Sequence, residues 1–300
     1  FVAVAIPPLL NTAHKGSMGR IGVVGGSMDY TGAPFYSAMS ALKFGADLSW
    51  VFCSQSSAIP IKSYSPELMV KSFYDDKFLS YSDEQLENEV TNHYMLRMHS
   101  LVIGPGLGRH SQVAPVVNSI IIRAREREIP LVIDGDGLFY VTQNLTAIIG
   151  HPRCILTPNK REFEEFKAKH NNGTGLRQMV GLSTDRSDRV STDGAVAVEA
   201  ELEDTVFVVE AQGSPRRCGG LGDVLSGVTA VALHWALQVH EKEISSPAHT
   251  HNACVHACIL ASIVAKQASE LAFASKGRSM TAPDVIDQIG AAFRKVYPEG

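Results

Sequence analysis

The sequence lacks a surplus of basic charge and lacks long apolar runs, and each absence excludes a class of protein. Its 27 lysine and arginine residues face 31 aspartate and glutamate residues, so its formal net charge is −4. This balance offers no broad positive surface to a phosphate backbone, and we expect no general binding to nucleic acid. The longest apolar stretches, such as 120–122 and 206–209, are far shorter than the roughly 20 residues that cross a bilayer. We therefore expect no membrane protein.

Cysteine is also scarce, and its spacing excludes a disulfide framework. The chain contains five cysteines, an odd number, and no C-x-x-C pair. Scattered cysteines are typical of reduced thiols, so we expect an intracellular protein, cytoplasmic or mitochondrial. Cys254 and Cys258 are four residues apart in the apolar segment 253–265, and we predict that they lie on a buried helix face rather than bind a metal. The others are Cys53, Cys154 and Cys218.

The length of the chain suits a large folded domain. A chain of 300 residues buries about three quarters of its unfolded surface, so neither disulfides nor a metal is needed for folding. No internal repeat and no low-complexity linker divides the sequence. We predict a single domain over residues 1–300, in which residues 1–13 are an N-terminal extension. The polar, glycine-punctuated stretch 170–195 is interpreted as a surface excursion.

Short apolar runs that end in glycine, aspartate or asparagine recur along the chain, and helix-like segments follow several of them. Because the runs are continuously apolar, they predict strands covered on both faces. Alternation of strand, turn and helix predicts an α/β sandwich with a mostly parallel central sheet. Ligands bind at the carboxyl ends of such strands, so we expect the chemistry in the turns. The strand-and-turn segments are 21–26, 101–108, 131–137, 155–159 and 205–210, and the helices are 35–44, 113–128, 160–169 and one beginning near residue 223.

The segment 213–222 is the most informative part of the sequence, because three glycines stand directly before a helix. Gly219, Gly220 and Gly222 allow backbone N–H groups to converge on one point. The helix N-terminus adds a partial positive charge at the same place. Together these features predict an anion hole suited to a phosphate.

Asp223 stands at the mouth of this anion hole, where a carboxylate would repel a bound phosphate. Its position is explained if it takes a proton from a nucleophile that attacks a phosphoryl group. The alternative is that Asp223 only caps the helix. The adjoining Arg216 and Arg217 favour phosphate chemistry, because guanidinium groups match phosphate oxygens bidentately.

Two other predicted strand ends carry small and polar residues, and each has two interpretations. Gly25, Gly26 and Ser27 are interpreted as a turn near the substrate, with a purely structural turn as the alternative. Asp134 and Asp136 follow a strand, where a carboxylate could hold metal-bound water. Simple turn geometry is the favoured interpretation of these two aspartates.

Five segments together resemble one family, and together they are more specific than any one alone. The segment GGLGDVLSG at 219–227 is similar to the anion-hole and catalytic-aspartate signature of the ribokinase-like superfamily. The full pattern resembles the ATP- or ADP-dependent NAD(P)H-hydrate dehydratases, from about His14 to the carboxyl terminus. The form GSPRRCGG is similar to that of the eukaryotic members, which prefer ATP. The five segments are 14–34, 101–109, 131–138, 156–163 and 213–227.

The resemblance implies a ribokinase-like three-layer α/β/α sandwich and an ATP-dependent lyase. In that family, ATP phosphorylates the ring hydroxyl of (S)-NADHX or (S)-NADPHX, the hydrated forms of NADH and NADPH. Loss of phosphate then restores the double bond. The implied cofactors are ATP, as co-substrate, and Mg²⁺, which bridges nucleotide oxygens. A separate NAD(P)HX epimerase is the implied functional partner, and a homo-oligomer stays open.

The resemblance also implies roles for individual residues. Asp223 is the implied catalytic base and also contacts the substrate, Gly106 contacts the substrate, and Glu162 is the implied metal ligand and a substrate contact. The other implied substrate-binding residues are Asn159, Lys160, Arg161 and Phe163. The implied ATP- and phosphate-binding residues are Asp204, Gly213, Ser214, Pro215, Arg216, Arg217, Cys218, Gly219, Gly220, Leu221 and Gly222.

The sequence departs from the family pattern at one place. Family members carry a Lys-Gly pair that contacts ATP on the strand before the anion hole, with aspartate three residues later. Aligned backwards from Gly213, Asp204 fits, but Ala200 and Glu201 replace the pair. Either the alignment slips across 185–205 or activity is reduced. Two alternatives therefore stay open: a ribokinase-like kinase of a vitamin precursor, and a nucleotide-binding homologue with weakened catalysis.

Overall fold

A computed structural model describes residues 6–74, 92–111, 113–170, 180–181, 209–241 and 247–298. Within these residues, strands and helices alternate through the first half and helices dominate the last third. The strands are β1 (Arg20–Val24), β2 (Leu48–Ser54), β3 (Met69–Tyr74), β4 (Ser100–Ile103), β5 (Leu131–Ile133), β6 (Cys154–Leu156) and β7 (Val180–Gly181). The helices are α1 (Gly32–Phe44), α2 (Gln55–Tyr64), α3 (Val113–Glu126), α4 (Asp136–Gln143), α5 (Lys160–Lys169), α6 (Leu221–Glu241), α7 (Pro247–Lys276) and α8 (Ala282–Val296).

The strands form one sheet in the order β3-β2-β1-β4-β5-β6-β7, and every pairing in it is parallel. Val23 of β1 lies beside Val51 of β2 on one side and beside Val102 of β4 on the other. The chain therefore starts in the middle, builds one half of the sheet and then builds the other. The order reverses between β1 and β4, and doubly wound sheets bind ligands at the carboxyl edge of such a switch point.

Four of the five predicted strand segments contain a strand, namely β1, β4, β5 and β6. Every residue of β4, β5 and β6 is buried, as expected for parallel strands that helices cover on both faces. Of the fifth segment, residues 205–208 lie outside the described residues, and residues 209–210 have no regular structure. The prediction of a strand is therefore wrong for the part of this segment that is described.

Three strands were not predicted from the sequence. Polar residues interrupt β2 (LSWVFCS) and β3 (MVKSFY), so neither forms a continuous apolar run. Strand β7 lies inside the stretch 170–195 that was interpreted as a surface excursion. Val180 and Gly181 instead pair with β6 at the edge of the sheet, which corrects that interpretation for these two residues. The pairing partner, and not local composition, decides their conformation.

All five predicted helices are present, with ends that differ by a few residues, and the apolar helix predicted at 253–265 lies within α7. Helix α5 spans the predicted range, α1 begins three residues early at Gly32, and α6 begins at Leu221. Helix α3 ends at Glu126, because Glu128 takes a left-handed conformation with φ of 52° that a helix cannot continue through.

Helices cover the sheet on both faces and divide the core into two clusters. One cluster joins the sheet residues Val23, Val51 and Val102 to helices α1, α6, α7 and α8. The other joins Phe52, Ile103 and Ile133 to helices α3, α4 and α5. This arrangement confirms the predicted three-layer α/β/α sandwich.

One region of the described chain is apolar enough to cross a membrane by length and composition alone. It is Ala253–Ser279, with a mean hydropathy of 1.4, and half of its most apolar window is buried in the fold. The sequence-based expectation considered only uninterrupted apolar runs and therefore missed this helix. A helix packed into a protein core passes the same test, so this is weak evidence for a membrane. Cys254 and Cys258 are buried and not in disulfides, which confirms their predicted place on a buried helix face.

Candidate active site

The switch point is closed by direct backbone contact between the ends of β1 and β4. The N–H of Gly26 donates to the carbonyl of Pro105 at 2.9 Å, and the N–H of Gly104 donates to the carbonyl of Val24 at 3.0 Å. A Cβ on Gly25 would lie 2.1 Å from the Pro105 carbonyl oxygen, so only glycine fits there. The predicted turn at 25–27 is therefore confirmed as structure, and its nearness to a substrate stays a prediction.

Gly106, the first implied substrate contact, lies in the turn that follows β4. Its φ is +63°, and a Cβ there would lie 2.8 Å from the Cβ of Tyr30. The other end of the turn is tied to α4, because the N–H of Gly108 donates to Oδ2 of Asp136 at 2.9 Å. The hydroxyl of Tyr140 donates to the carbonyl of Gly108 at 2.8 Å. The turn is thus held rigidly at the carboxyl edge of the sheet.

The two aspartates after β5 have different surroundings. The buried side chain of Asp134 accepts a hydrogen bond from Thr157 at 2.8 Å and is also hydrogen-bonded to Ser226. Burial raises the pKa of Asp134 above its usual value. Asp136 is the first residue of α4 and accepts from the turn at Gly108. Both residues therefore have the structural partners that the turn interpretation requires.

The segment 159–163 forms the start of α5, and its two polar members cap that helix reciprocally. The N–H of Asn159 donates to Oε2 of Glu162 at 2.9 Å, and the N–H of Glu162 donates to Oδ1 of Asn159 at 3.0 Å. Burial, followed by the nearby charge of Asp134, raises the pKa of Glu162 although the bond from Asn159 opposes the shift. The Glu162 carboxyl therefore lies near the charge of Asp134 and also caps the start of α5.

The remaining members of this segment are exposed or half-buried. Lys160 and Arg161 are exposed, and Arg161 pairs with Glu165 at 2.8 Å on the outer surface of α5. Phe163 is half-buried, and its N–H donates to the carbonyl of Asn159. No described contact brings Arg161 to Asp223, and the implied substrate contacts of these three residues stay predictions.

Packing demands glycine at only one of the three glycine positions of the predicted anion hole. Gly220 has φ of +92°, and a Cβ there would lie 2.7 Å from Ala282. Gly219 and Gly222 would meet nothing within 4 Å, so protein packing does not demand glycine at either position. Open space beside backbone at the start of a long helix allows a ligand to approach the N–H groups closely. The geometry fits the predicted phosphate site.

Asp223 is the third residue of α6 and not its cap. The carbonyl of Gly220 accepts the first helical hydrogen bond, from Val224 at 3.0 Å, so Gly220 is the cap residue. Burial raises the pKa of Asp223 to about 7, and the charges of Asp134 and Asp136 add to the shift. A carboxyl with such a pKa accepts and releases protons near neutral pH.

The segment 213–218 is folded against α7 and the start of α8. The N–H of Ser214 donates to the hydroxyl of Ser269 at 3.1 Å, and Nε of Arg216 donates to the carbonyl of Met280 at 2.7 Å. A cavity of about 270 Å³ opens between this segment and α7. Among its lining residues are Gly213, Ser214, Arg216, Arg217, Cys218, Gly220, Leu221 and Gly222, together with Lys266 of α7.

The structure thus gathers most of the implied nucleotide-binding residues around one cavity. Arg217 and Pro215 are exposed, and Cys218 is half-buried with a thiol whose pKa burial raises. Asp204 lies outside the described residues, as do Ala200 and Glu201. Their implied role, and the consequence of the missing Lys-Gly pair, stay predictions.

Three polar residues near the site were missed by sequence reasoning. They are Thr157 and Ser226, which hydrogen-bond to Asp134, and Arg109, which pairs with Asp136 at 2.9 Å. Arg109 directly follows the glycine-rich turn, which was a usable signal. Thr157 and Ser226 gave no such signal, because their partner Asp134 is distant in the sequence.

The carboxyl groups of the site suit a magnesium ion that is shared with a nucleotide. Within the described residues, no group of three histidine, cysteine, aspartate or glutamate side chains is arranged to hold a metal by itself. Mg²⁺ commonly binds one or two carboxylates together with substrate phosphates. Glu162 and Asp136 are placed for such a role, because the charge of Asp136 acts on both Glu162 and Asp223.

The doubly wound parallel sheet, with a glycine-lined helix start followed by an aspartate, defines the fold class of this chain as a ribokinase-like α/β fold. Solved structures agree on the fold. A ribokinase-like superfamily protein from Enterococcus faecalis superposes with a TM-score of 0.67 at 18% identity, covering 98% of this chain and 94% of that one. An ADP/ATP-dependent NAD(P)H-hydrate dehydratase from Bacillus subtilis, co-crystallised with ATP/Mg²⁺, gives a TM-score of 0.63 at 17% identity, covering 97% and 95%.

Sequence comparison identifies the family. A sequence model described as NAD(P)H-hydrate dehydratase matches residues 21–291. The ATP-dependent (S)-NAD(P)H-hydrate dehydratase of Homo sapiens is 40% identical over 303 aligned positions, covering 97% of this chain and 82% of the human protein. The chain belongs to the NAD(P)H-hydrate dehydratase family.

Proposed function

We propose that this chain is an ATP-dependent lyase that dehydrates (S)-NADHX and (S)-NADPHX to NADH and NADPH. The observation that carries the proposal is Asp223, a carboxyl tuned to neutral pH directly behind a glycine-lined helix start. Relatives at about 40% identity over nearly the whole chain bear the name of this enzyme. The site therefore has the groups that the named reaction needs.

The reaction proceeds by phosphorylation and elimination. The oxygen of the ring hydroxyl attacks the γ-phosphorus of ATP while Asp223 takes the hydroxyl proton, and ADP leaves. The phosphate ester is a much better leaving group than hydroxide. Its C–O bond breaks to release phosphate, and loss of a proton from the adjacent ring carbon restores the double bond.

The backbone of residues 219–222 contributes by stabilising charge on the transferring phosphoryl group. Its N–H groups are fixed before the substrate arrives, so no reorganisation is needed during transfer. Glu162 and Asp136 would hold Mg²⁺ together with the nucleotide, and the ion would neutralise part of the phosphate charge. Burial of Asp223, together with the charges of Asp134 and Asp136, raises its pKa to about 7.

A direct assay tests the proposal. The protein is incubated with Mg²⁺, ATP and hydrated NADH, and the return of absorbance in the NADH band is followed over time. We expect absorbance to return only with ATP present and ADP to form in equal amounts. ADP formation with a stable phosphorylated product would instead indicate a kinase, and ATP binding without either product would indicate a homologue with weakened catalysis.

The stereochemistry implies a second enzyme. The relatives' names specify the (S) hydrate, so this chain alone should consume about half of an equal mixture of the two epimers. Addition of an NAD(P)HX epimerase should allow the rest to react, and we propose this functional pairing.

We propose an intracellular setting, cytoplasmic or mitochondrial. The support for it is that the five cysteines form no disulfide. Measurement of the mass in solution would show whether the chain forms a homo-oligomer.

A further inference from the structure

Arg109 is an exposed guanidinium held in one orientation at the carboxyl edge of the sheet. Its Nε donates to Oδ1 of Asp136 at 2.9 Å, and its guanidinium carbon lies 4.9 Å from the ring centre of Phe139. The hydrogen bond from Nε fixes one edge of the guanidinium plane, and the ring of Phe139 covers one face of it. Half of the side chain remains exposed.

The two terminal nitrogens of Arg109 donate no hydrogen bond within the described part of the chain. The ion pair with Asp136 uses only Nε, and an exposed pair of this kind contributes little to stability. The turn is also held without it, because Gly108 donates to Asp136 and Tyr140 donates to Gly108. The orientation of Arg109 is therefore not explained by the needs of the fold.

The surroundings of Arg109 are acidic and belong to the same site as Asp223. The charges of Asp136, Glu162 and Glu165 all raise the pKa of Arg109, and the charge of Asp136 also raises that of Asp223. A ligand with several phosphates would be repelled by such a rim unless a cation received it. A guanidinium with two parallel N–H donors matches phosphate oxygens bidentately.

The same turn carries Gly106, whose contact with the dinucleotide is implied by the family resemblance and belongs to the function proposed above. The ATP phosphates, in contrast, are expected at residues 219–222, whose open glycines face the start of α6. We propose that Arg109 binds the diphosphate of the hydrated dinucleotide through its two terminal nitrogens, an inference that rests on the function proposed above. The diphosphate is common to hydrated NADH and hydrated NADPH, so Arg109 serves both substrates.

Equilibrium binding tests this inference without turnover. Hydrated NADH and hydrated NADPH, each in the absence of ATP, and ATP with Mg²⁺ are titrated separately into the wild-type chain and into R109Q and R109K. The control is R97Q, which removes the same charge from an exposed arginine that precedes the amino end of β4. Thermal midpoints of all four proteins check that the fold is unchanged.

We expect R109Q to raise the Kd of both hydrates on the order of tenfold to a hundredfold, the worth of a charge-assisted hydrogen bond. R109K should recover part of this loss because it restores charge without the fork, while R97Q should bind like the wild type. The Kd of ATP should be unchanged in all variants.

Three results would overturn the inference. They are unchanged binding of both hydrates by R109Q, a loss confined to ATP, and a loss confined to hydrated NADPH, which would indicate its additional phosphate. A wild-type chain that binds the hydrates but does not dehydrate them would refute the proposed function and leave this inference standing. A wild-type chain that binds neither hydrate would refute both.

Discussion

The backbone N–H of Gly26 donates to the carbonyl of Pro105 across the switch point, and Gly25 lies against the same carbonyl. This contact holds the turns after β1 and β4 together, and the turn after β4 carries Gly106 and Arg109. The carboxyl edge of the sheet thus depends on the close contact of Gly25 with the Pro105 carbonyl, which a Cβ on Gly25 would prevent.

The first prediction concerns this contact. Gly25→Ala would place a Cβ 2.1 Å from the Pro105 oxygen, so the two strand ends must separate. We expect a loss of roughly 2–4 kcal/mol in the free energy of unfolding, measured by urea denaturation. Gly290→Ala in α8 is the control, because its Cβ meets only the end of a flexible arginine at 3.9 Å. That change should stabilise by about 0.5–1 kcal/mol, since alanine favours a helix more than glycine. Equal stability of Gly25→Ala and the wild type would contradict the proposed role of the contact.

The second prediction concerns the base. Asp223→Asn keeps the size of the side chain but removes its ability to take a proton. We expect turnover to fall by several orders of magnitude while the Kd of ATP changes little, because the anion hole is made of backbone. Single-turnover kinetics and ATP titration measure the two effects. Turnover close to that of the wild type would show that Asp223 is not the base.

The third prediction concerns pH and activity. Asp223 must be ionised to act as a base, and its pKa is raised to about 7, so kcat/KM should fall as pH decreases below about 7. Asp134→Asn removes a negative neighbour and still offers an oxygen to Thr157. This variant should move the acidic limb of the pH profile to lower pH. A limb that stays in place would mean that Asp134 does not tune the base.

The fourth prediction concerns pH and stability. His234 is buried and stacks on His99 with ring centres 4.3 Å apart, and burial lowers the pKa of each to about 4 from 6.5. The unfolded chain therefore binds more protons between these values, so the free energy of unfolding should decrease as pH falls from about 6.5 to about 4.

For His234 alone this loss is at most about 3 kcal/mol. Urea denaturation at several pH values measures it. His234→Phe should reduce the dependence on pH. A dependence that His234→Phe does not reduce would assign the effect to other groups.

Much of the architecture could be predicted because it depends on local sequence. The buried runs at β1, β4, β5 and β6 are continuously apolar, and parallel strands covered on both faces require this. Strand β7 could not be predicted, since Val180 and Gly181 become a strand only through pairing with β6. Likewise β2 and β3 contain polar residues that interrupt the apolar run, and they become strands by pairing with their neighbours in the sheet.

The site divides in the same way. The glycines before Asp223 and the family resemblance are legible in the sequence, because an anion hole at a helix start is built from consecutive residues. The partners of Asp134 are not legible. Thr157 and Ser226 reach it from a different strand and a different helix, and the charge that tunes Asp223 comes from the turn after β5.

The sequence by itself determined the alternation of strand and helix, four of the seven described strands, the glycines before Asp223 and the family. Only the tertiary structure decided that Asp223 lies beyond the cap of its helix, that Asn159 and Glu162 cap α5, and that Arg109 is held against Asp136 and Phe139. The physical reason is the range of the interactions. Propensity and periodicity act within a few residues, whereas burial, charge and hydrogen bonding at this site join residues that the order of the sheet brings together.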